Sequence, residues 1–159
     1  MSRRFTYKAN KGLILTLDSL LFININSNPI KRREKVREAL RYLNNAKEIL
    51  REISVENGTY TDIKKVREAF GAAYLAVLES INEVLLKKGI TKRDLPKSVD
   101  AYRTALQKHI AVHDGKLLRE FEMLYDTLHI AGYYRALIYN VNMVKGALKA
   151  AKSFIDKLG

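Results

Sequence analysis

Apolar side chains recur at steps of three and four through most of this chain, and capping residues and glycines separate the runs. Val36, Leu40, Leu43, Ala46, Leu50 and Ile53 share one face of a helix. Asn28-Pro29 opens it, a capping side chain followed by proline at the first helical position, and Asn57-Gly58 is expected to end it. A second, longer helix starts at Thr59 or Thr61 and buries Ile63, Val66, Phe70, Ala73, Val77, Ile81, Val84 and Leu85. Gly89 stops it behind Lys87 and Lys88, whose charges suit a helix C-terminus. Leu95-Pro96-Lys97 leads to a third helix, capped by Ser98 and carrying Val99, Tyr102, Leu106 and Ile110. Asp114-Gly115 breaks the chain before a fourth helix with Leu117, Phe121, Leu124, Tyr125 and Leu128. Gly132-Tyr133-Tyr134 interrupts again, and Asn140 caps a last helix through Val141, Val144, Leu148, Ala151, Ile155 and Leu158.

Short connections between amphipathic helices favour antiparallel neighbours, so the pattern predicts an all-α fold, an up-and-down bundle of four to five helices. Residues 28–159 make this single domain, and residues 1–27 read as an N-terminal extension that is basic, then apolar and β-branched, then rich in Asn and Ser. The extension lacks strict alternation, which leaves a short helix or an extended arm. No repeat, glycine-rich loop or low-complexity tract interrupts the chain.

The 159 residues contain no cysteine, so neither a disulfide framework nor a thiolate metal site contributes, and the fold must rest on a packed core. The formal charge is +12, and twelve basic against four acidic side chains fall within residues 1–51. That asymmetry suits phosphate polymers or anionic lipid, and equally serves solubility alone. Leu13–Ile25 follows a basic start as a signal peptide would. Asp18 splits its apolar run, however, and no small-x-small cleavage site follows. No stretch reads as a transmembrane segment. A cytoplasmic location is the expectation, with secretion or membrane association through residues 1–27 as the other branch.

The segments NPI at 28–30, ALRYLNNAKEIL at 39–50, YLAVLESINEVLLKKG at 74–89, KSVDAYR at 97–103 and LYDTLHIAGYY at 124–134 carry a resemblance. From Asn28 onward the chain resembles a small uncharacterised bacterial family of all-helical domains, a domain of unknown function. The resemblance implies a fold and no established activity. The helical layout is also similar to HEPN domains, bundles that often dimerise and in some members cut RNA.

HEPN-type ribonucleases use an arginine and a histidine a few residues apart, a spacing that Arg103 and His109 satisfy. A histidine can act as acid or base near neutral pH, and an arginine can clamp phosphate. The polar residue usual after that arginine is missing, since Thr104 is followed by Ala105. Six positions along a straight helix also set the two side chains roughly 120° apart around the axis. They converge only through a kink or a second subunit. His109 and His113 are four apart, as two imidazoles sharing a metal would be, with Asp114 as a third ligand. His113 at a helix end and Asp114 as the next cap have structural duties instead, so no metal and no cofactor is assigned.

Asp126 and His129, with Glu122 one turn earlier, make one carboxylate-x-x-His element, and di-metal bundles need two. Glu79 and Glu83 offer carboxylates without a second histidine. Tyr125, Tyr133, Tyr134 and Tyr139 surround the Gly132 break and are candidate interface residues, large apolar rings with a polar handle. Lys31, Arg32, Arg33, Lys35, Arg37 and Arg41 form a cationic strip, the candidate nucleic-acid surface, which Glu34 and Glu38 partly neutralise. No active-site set is complete. The chain therefore reads as a non-catalytic association domain, homodimeric, with another protein or nucleic acid as further partners. The alternative is a HEPN-like nucleic-acid-binding protein or ribonuclease.

Overall fold

In the computed structural model the described residues are 37–112 and 115–159. The helix start at Asn28-Pro29, the basic residues Lys31 to Lys35, Val36, His113 and Asp114 lie outside them. The described chain is an all-α, up-and-down bundle of five helices with one small hairpin. Helix α1, Glu38–Arg51, turns Leu43, Ala46 and Leu50 inward as its periodicity predicts, buries Ala39 as well, and leaves the expected Leu40 half-buried. Its first turn is capped from outside. Glu83 of the neighbouring helix accepts from the Ala39 amide at 3.1 Å, doing what a capping side chain at position 37 would do.

Asn57-Gly58 does not end α1. The helix stops at Arg51, and Val55–Glu56 (β1) pairs antiparallel with Thr59–Tyr60 (β2) around Asn57-Gly58. Both turn residues have positive φ, 49° and 75°, the conformation a two-residue hairpin turn requires. The hairpin then holds the entry to the last helix. The Tyr60 amide donates to the Tyr139 carbonyl and the Val141 amide to the Gly58 carbonyl, each at 3.0 Å.

Helix α2, Ile63–Lys87, is the centre of the bundle. Asp62 caps it, accepting from the Lys65 amide at 3.1 Å; Thr59 and Thr61, the expected caps, belong to the hairpin and its exit. Phe70, Val77 and Ile81 are fully buried, and Ala69, Ala73 and Ala76 let neighbouring helices approach closely. By length and composition α2 is also apolar enough to cross a bilayer, with half of its most apolar window buried inside the bundle. The helix ends at Lys87, with Gly89 at φ 90° taking the left-handed turn.

Ser98 caps helix α3, Val99–Ala105, accepting from the Ala101 amide at 3.2 Å, and a π-helical turn over Leu106–Ile110 continues it. Helix α4, Gly115–Leu124, likewise runs on into a longer π-helix, Tyr125–Tyr134. Gly132 therefore does not interrupt the helix; it permits the contact. A Cβ there would stand 2.4 Å from the Phe70 ring, so only glycine lets the π-helix lie against α2. The break comes after Tyr134. Asn140 then caps helix α5, Val141–Leu158, accepting from the Asn142 and Met143 amides. Its Phe154 meets Phe121 of α4 in the core, with ring centroids 6.5 Å apart.

Candidate functional site

The wide turns of the π-helix raise Tyr125, His129 and Tyr133 along one side at four-residue steps. Their rings stack. Tyr125 and His129 lie 5.4 Å apart at 25°, and His129 and Tyr133 lie 5.8 Å apart at 21°. Tyr74 of α2 closes on the middle of this ladder, 4.9 Å from His129. An arginine ends it on each side: Arg103 sits 5.3 Å above the Tyr125 ring and Arg67 5.9 Å from Tyr133. Arg67 also donates to the Tyr133 carbonyl at 2.8 Å. His129 is thus an aromatic member of a stack, while Asp126 points to solvent.

The electrostatics of this region are closed. Arg103 grips both oxygens of Glu122, at 2.7 and 2.8 Å, and donates to Asp100 at 2.7 Å. Those carboxylates hold the guanidinium even more firmly charged than usual, and Arg103 holds the Glu122 carboxyl below its ordinary range. Burial, with the neighbouring Tyr125 phenol second, pushes Tyr74 up to about 12. Burial also raises Tyr102, whose hydroxyl donates to Asn82 at 3.1 Å. A phenol kept protonated and an arginine occupied by two carboxylates supply no base and no nucleophile at neutral pH.

Arg103 and His109 do not face one space. Arg103 turns to α4, whereas His109 lines a cleft of about 520 Å³ with Ile90, Leu95, Pro96 and Lys108. Among the described residues no three His, Asp or Glu side chains gather as a metal would need. Of the cationic strip, Arg37 and Arg41 are described, and both meet carboxylates. Arg41 pairs with Glu38 at 2.7 Å. Arg37 binds Glu83 at 2.7 Å and reaches the Ile155 carbonyl at 3.4 Å, joining three helices. The tyrosines divide: Tyr125 is half-buried in the ladder, whereas Tyr133, Tyr134 and Tyr139 are exposed.

The sequence reading did not single out a groove of about 580 Å³ between the end of α1, the hairpin and α5. Leu50, Ile53, Tyr60 and Leu148 form its apolar base, with Val55 and Val141 beside them. Lys47, Arg51, Lys145, Lys149 and Lys152 stand around it, and no acidic residue lines it. The signal was present as two cation pairs at four-residue spacing, Lys47/Arg51 and Lys145/Lys149, each bordering an apolar stripe. Nothing local says that the two pairs meet.

Residues 34–159 match the model of a family described as a domain of unknown function, DUF5618. A solved structure, a protein of unknown function from Dyadobacter fermentans, is similar at 34% identity and a TM-score of 0.61. That match covers 76% of this chain and 89% of the other. No curated protein matches the sequence. The chain belongs to the DUF5618 family.

Proposed function

We infer that this domain works by association rather than catalysis, pairing with a second copy through the surface that follows the π-helix. One observation carries the reading. Tyr133, Tyr134, Leu137, Tyr139 and Met143 are all large, apolar and between 43% and 68% exposed within a short stretch of chain. Tyrosine and methionine are the side chains that interfaces collect. The stretch from Ala136 to Val144 holds no charge, so contact through Leu137, Tyr139 and Met143 brings little like charge together, although Arg135 follows Tyr134 in the chain and Arg67 lies against Tyr133. The ladder beneath supplies a rigid base, since Arg67 and Gly71 of α2 fix Tyr133 from one side.

Sedimentation equilibrium from micromolar to millimolar protein tests this. A dimer is expected, reduced to monomer by Tyr134→Glu with Leu137→Glu, both at exposed positions. A monomer throughout the range overturns the reading. The ribonuclease alternative has less support, because Arg103 is occupied by Glu122 and Asp100 and His109 opens on a separate cleft.

A further inference from the structure

The groove between α1, the hairpin and α5 combines two properties. Its base is apolar and concave, and its size falls within the range of small-molecule sites. Its border is cationic. Among the described residues Lys47, Arg51, Lys145 and Lys149 have no ion-pair partner, and Lys152 alone leans toward a carboxylate, Asp156. Arg37, Arg41, Lys65, Arg103 and Lys157, by contrast, each meet an acid. Like charges gathered at one concavity repel each other and focus a positive potential into it.

We propose that this groove binds a single-chain anionic amphiphile, a long-chain carboxylate. Its alkyl chain lies on Leu50, Ile53 and Leu148, and its headgroup meets Lys145 and Lys149. The shape and the charge each select part of this ligand. A phosphate polymer would satisfy the lysines and leave the apolar base wet, and Tyr60, the aromatic ring in the groove, is too buried to stack a base. A neutral alkyl chain would fill the base and leave the cations unanswered. A flat bilayer surface would touch the border and not enter the concavity. A carboxylate at the end of an alkyl chain answers both parts at once.

The test uses the full chain and a dansylated undecanoate as fluorescent probe, displaced by unlabelled competitors below their micelle concentrations. Saturable enhancement is expected, with dodecanoate displacing the probe and dodecyltrimethylammonium, of equal chain length and opposite charge, failing to do so. Going from octanoate to decanoate should tighten binding about tenfold, roughly threefold to fourfold for each methylene that reaches the base. Affinity should fall as salt rises. Lys145→Gln with Lys149→Gln should weaken the probe at least about tenfold, the loss of two charge-assisted contacts. Val55→Asp, at a half-exposed position, should weaken it through the apolar side. The proposal falls if the probe shows no saturable binding, or if the cationic amphiphile competes as well as dodecanoate. It falls equally if chain length has no effect, or if the lysine variant folds and binds unchanged. Displacement by a single-stranded RNA where dodecanoate fails would replace it with a polyanion surface.

Discussion

Arg103 and Lys149 are both cations beside apolar surface, and the fold treats them in opposite ways. Arg103 lies over an aromatic ring with its guanidinium divided between Glu122 and Asp100. Lys149 borders an apolar groove where, among the described residues, no carboxylate answers it, Lys47, Arg51 or Lys145. The first region uses charge to fix one packing of helices. In the second, Lys47, Arg51, Lys145 and Lys149 enter no ion pair among the described residues. A basic composition therefore has two structural meanings within one small domain, and only the partners of each cation distinguish them.

The largest effects should come from the seam that the first region braces. Phe70 is fully buried against Gly132, so Phe70→Ala should lower stability by about 3–5 kcal/mol. Gly132→Ala places a methyl group against that ring and should cost about 1–3 kcal/mol by overpacking. The two changes should not add. With the ring gone the methyl group has room, so Gly132→Ala should become nearly neutral in the Phe70→Ala background, as urea unfolding of the four proteins would show.

Next is Arg37 with Glu83, a pair whose side chains are 26% and 16% exposed. Glu83→Gln keeps the shape but removes the charge that answers Arg37, whose other terminal nitrogen is buried without a partner. A loss of about 2 kcal/mol is expected, between the values for surface and fully buried pairs. Glu122→Gln should cost less, about 1 kcal/mol, because that pair is a third exposed and screened by solvent. Its signature is the pH profile. Arg103 depresses the folded carboxyl, so the contribution is present above the ordinary carboxylate range and disappears as pH falls through the folded value. The variant should flatten that acid limb. Tyr74 acts at the other end. Its folded value, raised to about 12, means that stability holds below the ordinary 10.0 and is lost as pH rises toward the folded value. Tyr74→Phe should remove the part of the alkaline slope due to this phenol.

How much of this was legible in the sequence depended on the range of the interaction. Periodicity finds most of the inward faces of α2 and α5, although Ile63 in the first turn of α2 is exposed, and local chemistry finds Ser98, Asn140 and Gly89 at the helix ends. Asn57-Gly58 is a turn signal that fits a helix stop and a hairpin alike, and the β-branched and aromatic residues around it are what favour the hairpin. The expected caps Thr59 and Thr61 give way to Asp62 for the same reason, since the hairpin and its exit occupy both threonines. Gly132 departs from expectation for a different reason. A glycine between helical runs ordinarily marks a break, and its role against Phe70 depends on a residue more than sixty positions away. Arg37 shows the same limit. It sits in a basic run yet belongs to Glu83, forty-six residues later. The groove is the extreme case, because each cation pair is ordinary by itself and gains meaning only where α5 returns beside α1.

The smallest predicted effect sharpens the comparison most. Lys145→Gln with Lys149→Gln removes two charges from a 159-residue protein and should change its stability by no more than about 0.5 kcal/mol. The sign at low salt should be slightly favourable, since relief of repulsion among the groove's cations outweighs any lost contact, and it should vanish at high salt. That is the reverse of Glu122→Gln, where removing a charge destabilises. A loss above about 1 kcal/mol would mean that the lysine stems cover Leu50 and Leu148 as part of the packing. The groove would then be one more braced region, and the contrast with Arg103 would vanish. A neutral result in chemical unfolding, obtained on the same variant that loses the dansylated probe, would separate the charges that hold this bundle together from those that serve what it binds.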